Sequence, residues 1–478
     1  MSFSSLEFLF FFFPVVLALN YILPARIRDY WLLAASLFFY AWGESTFFLL
    51  LVSSILVNYG LGLLLERLSR SDKMNGIRKG MFILLLLLNF TPLFLFKYLN
   101  AITRAIRTAV PAWQGVIPQT SFILPLAISF YTFQSISYII DIYRGMAAEK
   151  DPCKYALFIC FFPQLLQGPI LRYADFRPQL GVRKISADGF SEGILRFLTG
   201  FNQKVLLANI LSEAANAAFD AAEISVAMAW LGMAAYSLQL YFDFAGYSDM
   251  AVGLGKMFGF SFAENFDFPY TSGTITEFWR RWHITLGAWF RDYLYFPLGG
   301  SRVKSKFRIV LNLLIVWLAT GIWHGADLTF ILWGLLHGVV IIIEKITNLP
   351  KRLENKRVAS FLYHGVVMFI AMFGWMLFRA DGMPRAITYA KSLFKLAGNP
   401  WRDSLFKFNS REYIVTFFFA VISAFPLCRI LRNHFSARSE SAAAAVRLVW
   451  YLIQLILAVI SVSCLVMGSH NPFWYENF

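Results

Sequence analysis

Charge is scarce in this sequence. Asp, Glu, Lys and Arg make up 15% of its 478 residues, against roughly 25% in a soluble domain. With 58% hydrophobic residues and a mean hydropathy of +0.58, the chain has more apolar surface than a water-soluble fold can bury. That excludes an ordinary soluble enzyme, a disordered chain and a small disulfide scaffold, and leaves a polytopic membrane protein. Cysteine is scarce too. Cys153, Cys160, Cys428 and Cys464 make no CxxC pair, so they read as small buried hydrophobes rather than a disulfide framework or a zinc site. The six histidines show neither HxxxH nor HExxH spacing, and no metal is expected. The phosphate-cradling GxGxxG and Walker loops and the GxSxG elbow are missing. No basic stretch precedes the apolar 1–14 segment, which reads as a retained first span rather than a cleaved leader.

What is present is a series of apolar runs, near 3–23, 31–42, 46–65, 81–97, 121–141, 155–171, 193–218, 226–243, 245–261, 309–323, 328–345, 359–378, 412–430 and 446–467. A crossing helix needs about 20 apolar residues. The expectation is therefore an all-α, polytopic fold of about eleven transmembrane helices plus re-entrant and interfacial ones, forming a single domain over 1–478. The net charge of +15 raises the question of nucleic acid. Lys and Arg concentrate instead in the short loops 66–79, 301–308, 345–357 and 429–438, as the positive-inside rule requires of cytosolic loops. The basicity thus reflects topology and anionic lipid, with no nucleic-acid partner. The basic stretch 379–411 falls on the outer side by parity and is expected to hold an interfacial helix.

This topology makes 309–323 and 328–345 the arms of a hairpin with Trp323-His324-Gly325-Ala326-Asp327 at its tip. The first arm, at 1.5 Å per residue, is expected to reach about 22 Å, short of the roughly 30 Å core. An ionisable side chain there is costly, so it either lines a functional path or bonds neighbouring helices. Trp317, Thr320, Gly321 and His324 share a helical face, and Gly321 and Gly325 are expected to leave space beside the imidazole. A histidine can take a proton from a hydroxyl near neutral pH and return it. His337, between Gly334 and Gly338, reads as a packing residue on a small-residue face.

The segment TEFWRRWHITLGAWFRDYLYFPLGG, 276–300, puts Trp279, Trp282, Leu286, Trp289 and Tyr293 on one helical face and reads as an amphipathic interfacial or re-entrant element. Glu277 and Arg281 have i, i+4 spacing. His283 sits at the edge of the aromatic face. Arg280, Arg281 and Arg291 either meet phosphates or an acidic carrier at a cytosolic entry or form an aromatic-basic belt at the headgroups. Asp243 and Asp249 lie in apolar sequence, six apart, and share a face only if Gly246 breaks the helix. They are candidates for orienting a histidine, for capping a broken helix, or for a structural role.

At these residues the chain resembles the membrane-bound O-acyltransferase family, and within it the branch that O-acetylates alginate and other exopolysaccharides. The likeness runs through WLLAASLFFYAWGE at 31–44, LPLAISFYTFQSISYIIDIYRG at 124–145, FFPQLLQGPILR at 161–172, YFDFAGYSDMAVGLGKMFGFSFAENFDFPY at 241–270, the 276–300 segment, WHGADLTFILWGLLHG at 323–338 and FGWMLFRA at 373–380. The ending, NPFWYENF, departs at Trp474, Glu476 and Asn477, in a part that bears on partner contacts. The resemblance implies His324 as the active-site histidine and His283 as a second histidine on a tunnel, with Trp279, Arg280, Arg281, Trp282, Arg291, Asp243, Trp323 and Thr320 along the substrate path. It implies no tightly bound cofactor. The donor would be an acyl thioester, acetyl-CoA or an acyl carrier protein. The acceptor would be an exported polysaccharide or cell-wall hydroxyl, reached with an extracytoplasmic SGNH-type partner, from the cytoplasmic (inner) membrane of a bacterium. Peptidoglycan O-acetylation, teichoic acid D-alanylation and a passive acyl-conducting channel are the alternatives.

Overall fold

The computed structural model describes residues 1–70, 72–181, 183, 185–437 and 439–468. The ending 471–478, and with it Trp474, Glu476 and Asn477, lies outside them, as does Arg438 of the fourth basic loop. Every regular element among the described residues is helical, apart from one isolated antiparallel bridge between Phe266 and Trp282.

Among the described residues, six helices are long and apolar enough to cross a membrane: Phe48–Leu68, Asn75–Ala109, Lys306–His324, Leu328–Thr347, Arg357–Arg379 and Glu440–Val466. The pair Ile414–Ser423 and Leu427–Ser436, bent by 55°, makes a seventh if counted as one broken span. This is the helical, multi-pass arrangement that the apolar runs predict. The runs and the helices do not map one to one. The runs at 226–243 and 245–261 merge into one helix, Val226–Met257, which Gly246 does not break. A Cβ on Gly246 would lie 2.7 Å from the Gly200 carbonyl oxygen, and one on Gly200 would overlap that of Gly246. The two glycines let two backbones cross at contact distance.

The chain packs as two compact units. The first comprises Met1–Gly193 with Leu254–Ala263. Its core is a cluster of phenylalanines in which Phe3, Phe8, Phe12, Phe39 and Phe162 are all buried. Between the helices Phe48–Leu68 and Asn75–Ala109 of this unit the Asn58 and Asn89 amides bond each other in both directions, at 3.1 and 2.7 Å. Cys160 is fully buried, as expected of a small hydrophobe, whereas Cys428, in the second unit, is exposed.

The second unit comprises Ile194–Gly253 and the described residues from Glu264 onward. The predicted hairpin is its central feature, as Lys306–His324 and Leu328–Thr347. Its first arm has 19 residues, about 28 Å at the α-helical rise. The reach is therefore longer than the apolar count gave, because Lys306 to Arg308 are helical as well. Glycines set the spacing of the arms. A Cβ on Gly334 would meet the Trp317 carbonyl oxygen at 2.6 Å, and one on Gly338 would meet Trp317 Cβ at 2.7 Å. Gly321 and Gly325 do not open room beside the imidazole, contrary to expectation. A Cβ on Gly321 would lie 2.6 Å from the Phe330 carbonyl oxygen, and one on Gly325 would overlap the Phe330 ring. The space the two glycines leave is thus filled by Phe330. The stretch 379–411 holds the helices Gly382–Leu393 and Ser404–Glu412. It is anchored by Arg379 on Asp220 at 3.1 Å and by Arg385 on the Phe219 carbonyl at 2.7 Å.

Candidate active site

The segment 276–300 is not the continuous helix its period predicts. Thr274 caps a short helix, Ile275–Arg281, by accepting from the Glu277 N–H, and Glu277 accepts in return from the Gly273 N–H at 2.9 Å. The helix stops at Trp282, which is extended, and His283 takes the left-handed conformation with φ of +46°. A second short helix, Ile284–Phe290, follows. A non-glycine residue at positive φ is uncommon and costly. Here the neighbouring strand-like segment imposes it. The Asp267 N–H donates to the Arg281 carbonyl at 3.0 Å, and the Ile284 N–H donates to the Asn265 carbonyl at 2.9 Å. The aromatic side chains therefore leave the single expected face, and Trp282, Trp289 and Tyr293 are all buried.

His283 itself is buried, 2% exposed. Its ring meets the Phe244 ring edge-on, with centroids 4.6 Å apart, and its Nδ1 lies 3.0 Å from Asn265 Oδ1. It lies outside the spanning helices, and burial pushes its imidazole down to about 3, so it is uncharged at neutral pH.

His324 is the last residue of the Lys306–His324 helix and is 3% exposed. The Trp323, Trp333 and Phe378 rings surround it, with centroids at 4.6, 4.9 and 5.1 Å. Thr320 is buried one turn earlier. Its hydroxyl donates to the Val316 carbonyl at 2.8 Å, a local bond that restrains the helix.

The two histidines belong to the same unit and are linked through a tryptophan-rich wall of ring contacts. From His324 the ring contacts run to Trp333, then to Trp375 at 6.0 Å and Trp282 at 4.5 Å. They continue to Phe266 at 5.1 Å, Phe244 at 5.0 Å and His283. Trp279 packs on Trp317, Trp333 and His337, at 4.9, 5.4 and 5.0 Å. His337 is fully buried in this wall, and neither ring nitrogen has a hydrogen-bond partner among the described residues. That fits the packing role read from its glycine neighbours.

The charged candidates are placed differently. Arg281 pairs with Glu277 at 2.8 Å, as its spacing predicts, and with Asp267 at 3.7 Å. Arg280 and Arg291 are exposed, and Arg291 pairs with Asp292. Asp243 does not orient either histidine through a bond that the structure shows. Lys204 takes its carboxylate at 2.6 Å, with both side chains 1% exposed. Asp249 pairs separately with Arg196 at 2.7 Å.

Two residues that the sequence did not single out hold the site together. Glu344, fully buried on the return arm of the hairpin, accepts from the backbone N–H groups of Ile275 and Thr276 at 2.7 and 2.8 Å. It also accepts from the hydroxyls of Thr276 and Tyr363, at 2.5 and 2.9 Å. The carboxylate thus caps the Ile275–Arg281 helix and fastens it to the hairpin. Glu344→Gln keeps the shape but turns an amide NH₂ toward donors. Its expected cost is roughly 2–4 kcal/mol, read as a lower melting temperature in detergent and faster proteolysis between residues 271 and 283. Unchanged values for both would remove Glu344 from this role. Asn265 is the other such residue. No spacing rule finds either, because their partners are 69 and 20 residues away.

Comparison with known proteins places this geometry. The profile of the membrane-bound O-acyltransferase family matches residues 150–380, which contain both histidines and the tryptophan wall. The probable alginate O-acetylase AlgI of Azotobacter vinelandii is 42% identical over 401 residues, covering 82% of this chain and 78% of the relative. This chain belongs to the membrane-bound O-acyltransferase family. It is a multi-pass membrane O-acyltransferase. It is also similar to a peptidoglycan O-acetyltransferase of Helicobacter pylori, 34% identical over 430 residues, covering 83% of this chain and 80% of the relative. A teichoic acid D-alanyltransferase of Bacillus subtilis is 31% identical over 276 residues, covering 55% and 70%. An O-acyltransferase must deprotonate an acceptor hydroxyl and keep its acyl donor from water. The matched region holds three buried imidazoles, those of His283, His324 and His337, and an apolar aromatic interior.

Proposed function

We propose that this acyltransferase moves an acetyl group from a cytosolic thioester, acetyl-CoA or an acyl carrier protein, to a hydroxyl of an exported polysaccharide. The transfer runs either directly or by way of an extracytoplasmic SGNH-type partner. The 42% identity to an alginate O-acetylase across four-fifths of the chain carries this reading. The lower identity to the peptidoglycan and teichoic acid enzymes ranks those acceptors behind. The protein would sit in the cytoplasmic membrane with about eleven crossings, and its basic loops 301–308 and 345–357 would face the cytosol. The exposed Arg280 and Arg291 would meet phosphates of the donor there.

In this reading His324 takes the proton of the acceptor hydroxyl as its oxygen attacks the thioester carbonyl. The new C–O bond forms, the C–S bond breaks, and the proton passes to the departing thiolate, so no metal or tightly bound cofactor enters the balance. His283, Trp279, Trp282 and Trp323 would line the donor path and keep it dry. A single-turnover experiment tests the proposal. Purified protein mixed with acetyl-labelled thioester and a polysaccharide acceptor is expected to release free thiol and label the acceptor. Label that crosses a proteoliposome membrane without thiol release would instead mark a passive conduit.

A further inference from the structure

Asn265 is not among the candidate site residues that the sequence offers, yet its side-chain amide is the meeting point of the His283 site. Its Oδ1 accepts from the Thr285 backbone N–H at 3.3 Å and from the Thr285 hydroxyl at 2.9 Å. Its Nδ2 donates to Ser248 Oγ at 3.1 Å. A backbone N–H can only donate, so the amide atom facing Thr285 is the oxygen, and the orientation of the amide is fixed. His283 Nδ1 lies 3.0 Å from that same oxygen. Of those two atoms only the nitrogen can carry a proton. A neutral imidazole has one N–H, so Nε2 holds the lone pair. Nε2 is buried and has no hydrogen-bond partner among the described residues.

We propose that Asn265 is a positioning residue that locks His283 in the Nδ1–H tautomer and thereby presents Nε2 as a proton acceptor to a thiol or hydroxyl of the reacting partners. The inference rests on the reading that His283 lies on the transfer path. Its support is geometric. The backbone pairing of 265–267 with 281–284 brings the two residues together and holds His283 in its left-handed conformation. Glu264, one residue before, is tied to Arg196, which also holds Asp249 next to Ser248, so both ends of the amide's hydrogen-bond chain are anchored. Apart from the exposed Arg280, the charged groups on the elements around the imidazole are already engaged. These are Asp243 with Lys204, Asp249 and Glu264 with Arg196, and Asp267 with Arg281 and Arg429. A neutral amide, not a carboxylate, therefore orients the ring, and it leaves the ring uncharged.

The test uses the full-length protein in detergent or nanodiscs with ¹⁵N-labelled histidine, the His283 signals being assigned by their loss in His283→Gln. The wild type is expected to show a protonated Nδ1 and an unprotonated Nε2 at neutral pH. Asn265→Ala is expected to mix the tautomers and to lower kcat about 10- to 100-fold while the donor KM stays within about threefold. Because Asn265→Ala also strips Thr285 and Ser248 of a partner, Asn265→Asp supplies the isosteric variant. Its carboxylate still accepts from Thr285 and His283 but favours the imidazolium. The acid limb of its pH–rate profile is expected to rise by about one to two pH units, with the rate at alkaline pH retained. A wild-type spectrum with the proton on Nε2 would overturn the proposal, as would a folded Asn265→Asp protein with the wild-type spectrum and pH profile. Full turnover in His283→Ala alongside an Nδ1–H spectrum would instead sink the placement of His283 on the path and leave the tautomer assignment standing.

Discussion

His324→Ala is expected to lower acyl transfer by roughly 10²- to 10⁴-fold, the contribution of a positioned proton-transfer group. The imidazole closes the end of a membrane hairpin between Trp323, Trp333 and Phe378, so removing it also leaves a void. That void costs about 2–3 kcal/mol in a core of this kind, and lost folding must be separated from lost chemistry. His324→Gln fills most of the volume, retains hydrogen-bonding capacity and cannot serve as a base near neutral pH. Both variants are expected to accumulate in the membrane and run as single species in gel filtration, and both are expected to lack transfer. A well-folded His324→Gln protein with wild-type turnover would remove His324 from the proton-transfer role.

The second large effect is expected at His283, where the two informative substitutions diverge in fold before they diverge in chemistry. Asn tolerates the left-handed backbone at φ +46°, and its amide can still donate to Asn265. Ala at that φ is strained by roughly 1–2 kcal/mol and loses the donor. His283→Asn is therefore expected to keep near-native thermal stability, and His283→Ala to melt lower. On activity the two should converge, because neither carries the Nε2 lone pair, and the loss in each is expected to be about 10²-fold or more. Rates measured at matched protein amounts across pH decide the matter. Substantial activity in His283→Asn would mean that the residue only orients its neighbours. Wild-type rates in both would leave His283 as part of an interfacial aromatic belt.

The parts of this fold legible in the sequence are those encoded by local period and charge. The hairpin follows from two apolar runs flanked by basic loops, and the Trp317–Thr320–Gly321–His324 face is buried as one stripe. The small-residue face around His337 is legible for the same reason. The 276–300 segment misleads because an aromatic residue every third or fourth position looks helical whether or not the backbone turns at Trp282 and His283. What breaks it is pairing with residues 265–267, and a one-dimensional period carries no trace of such pairing. Asp243 and Asp249 look like a possible couple, but an unbroken helix turns them to separate cations, Lys204 and Arg196. Glu344 and Asn265 stay hidden for the same physical reason. A buried polar side chain is defined by what it satisfies, and their partners are set by tertiary packing.

The tryptophan wall between the two histidines bears on the energy economy of the cell. A multi-pass membrane enzyme with ionisable side chains in its interior risks leaking protons, which would drain the gradient that drives ATP synthesis. Proton leakage needs a file of water or hydroxyl groups close enough to pass a proton from one to the next. Between His324 and His283 the ring contacts run through Trp333, Trp375, Trp282, Phe266 and Phe244, with successive centroids no more than 6.0 Å apart. Such a stack offers a proton few footholds. Smaller side chains at Trp282 or Trp375 would make room for water in that stack and so weaken the barrier.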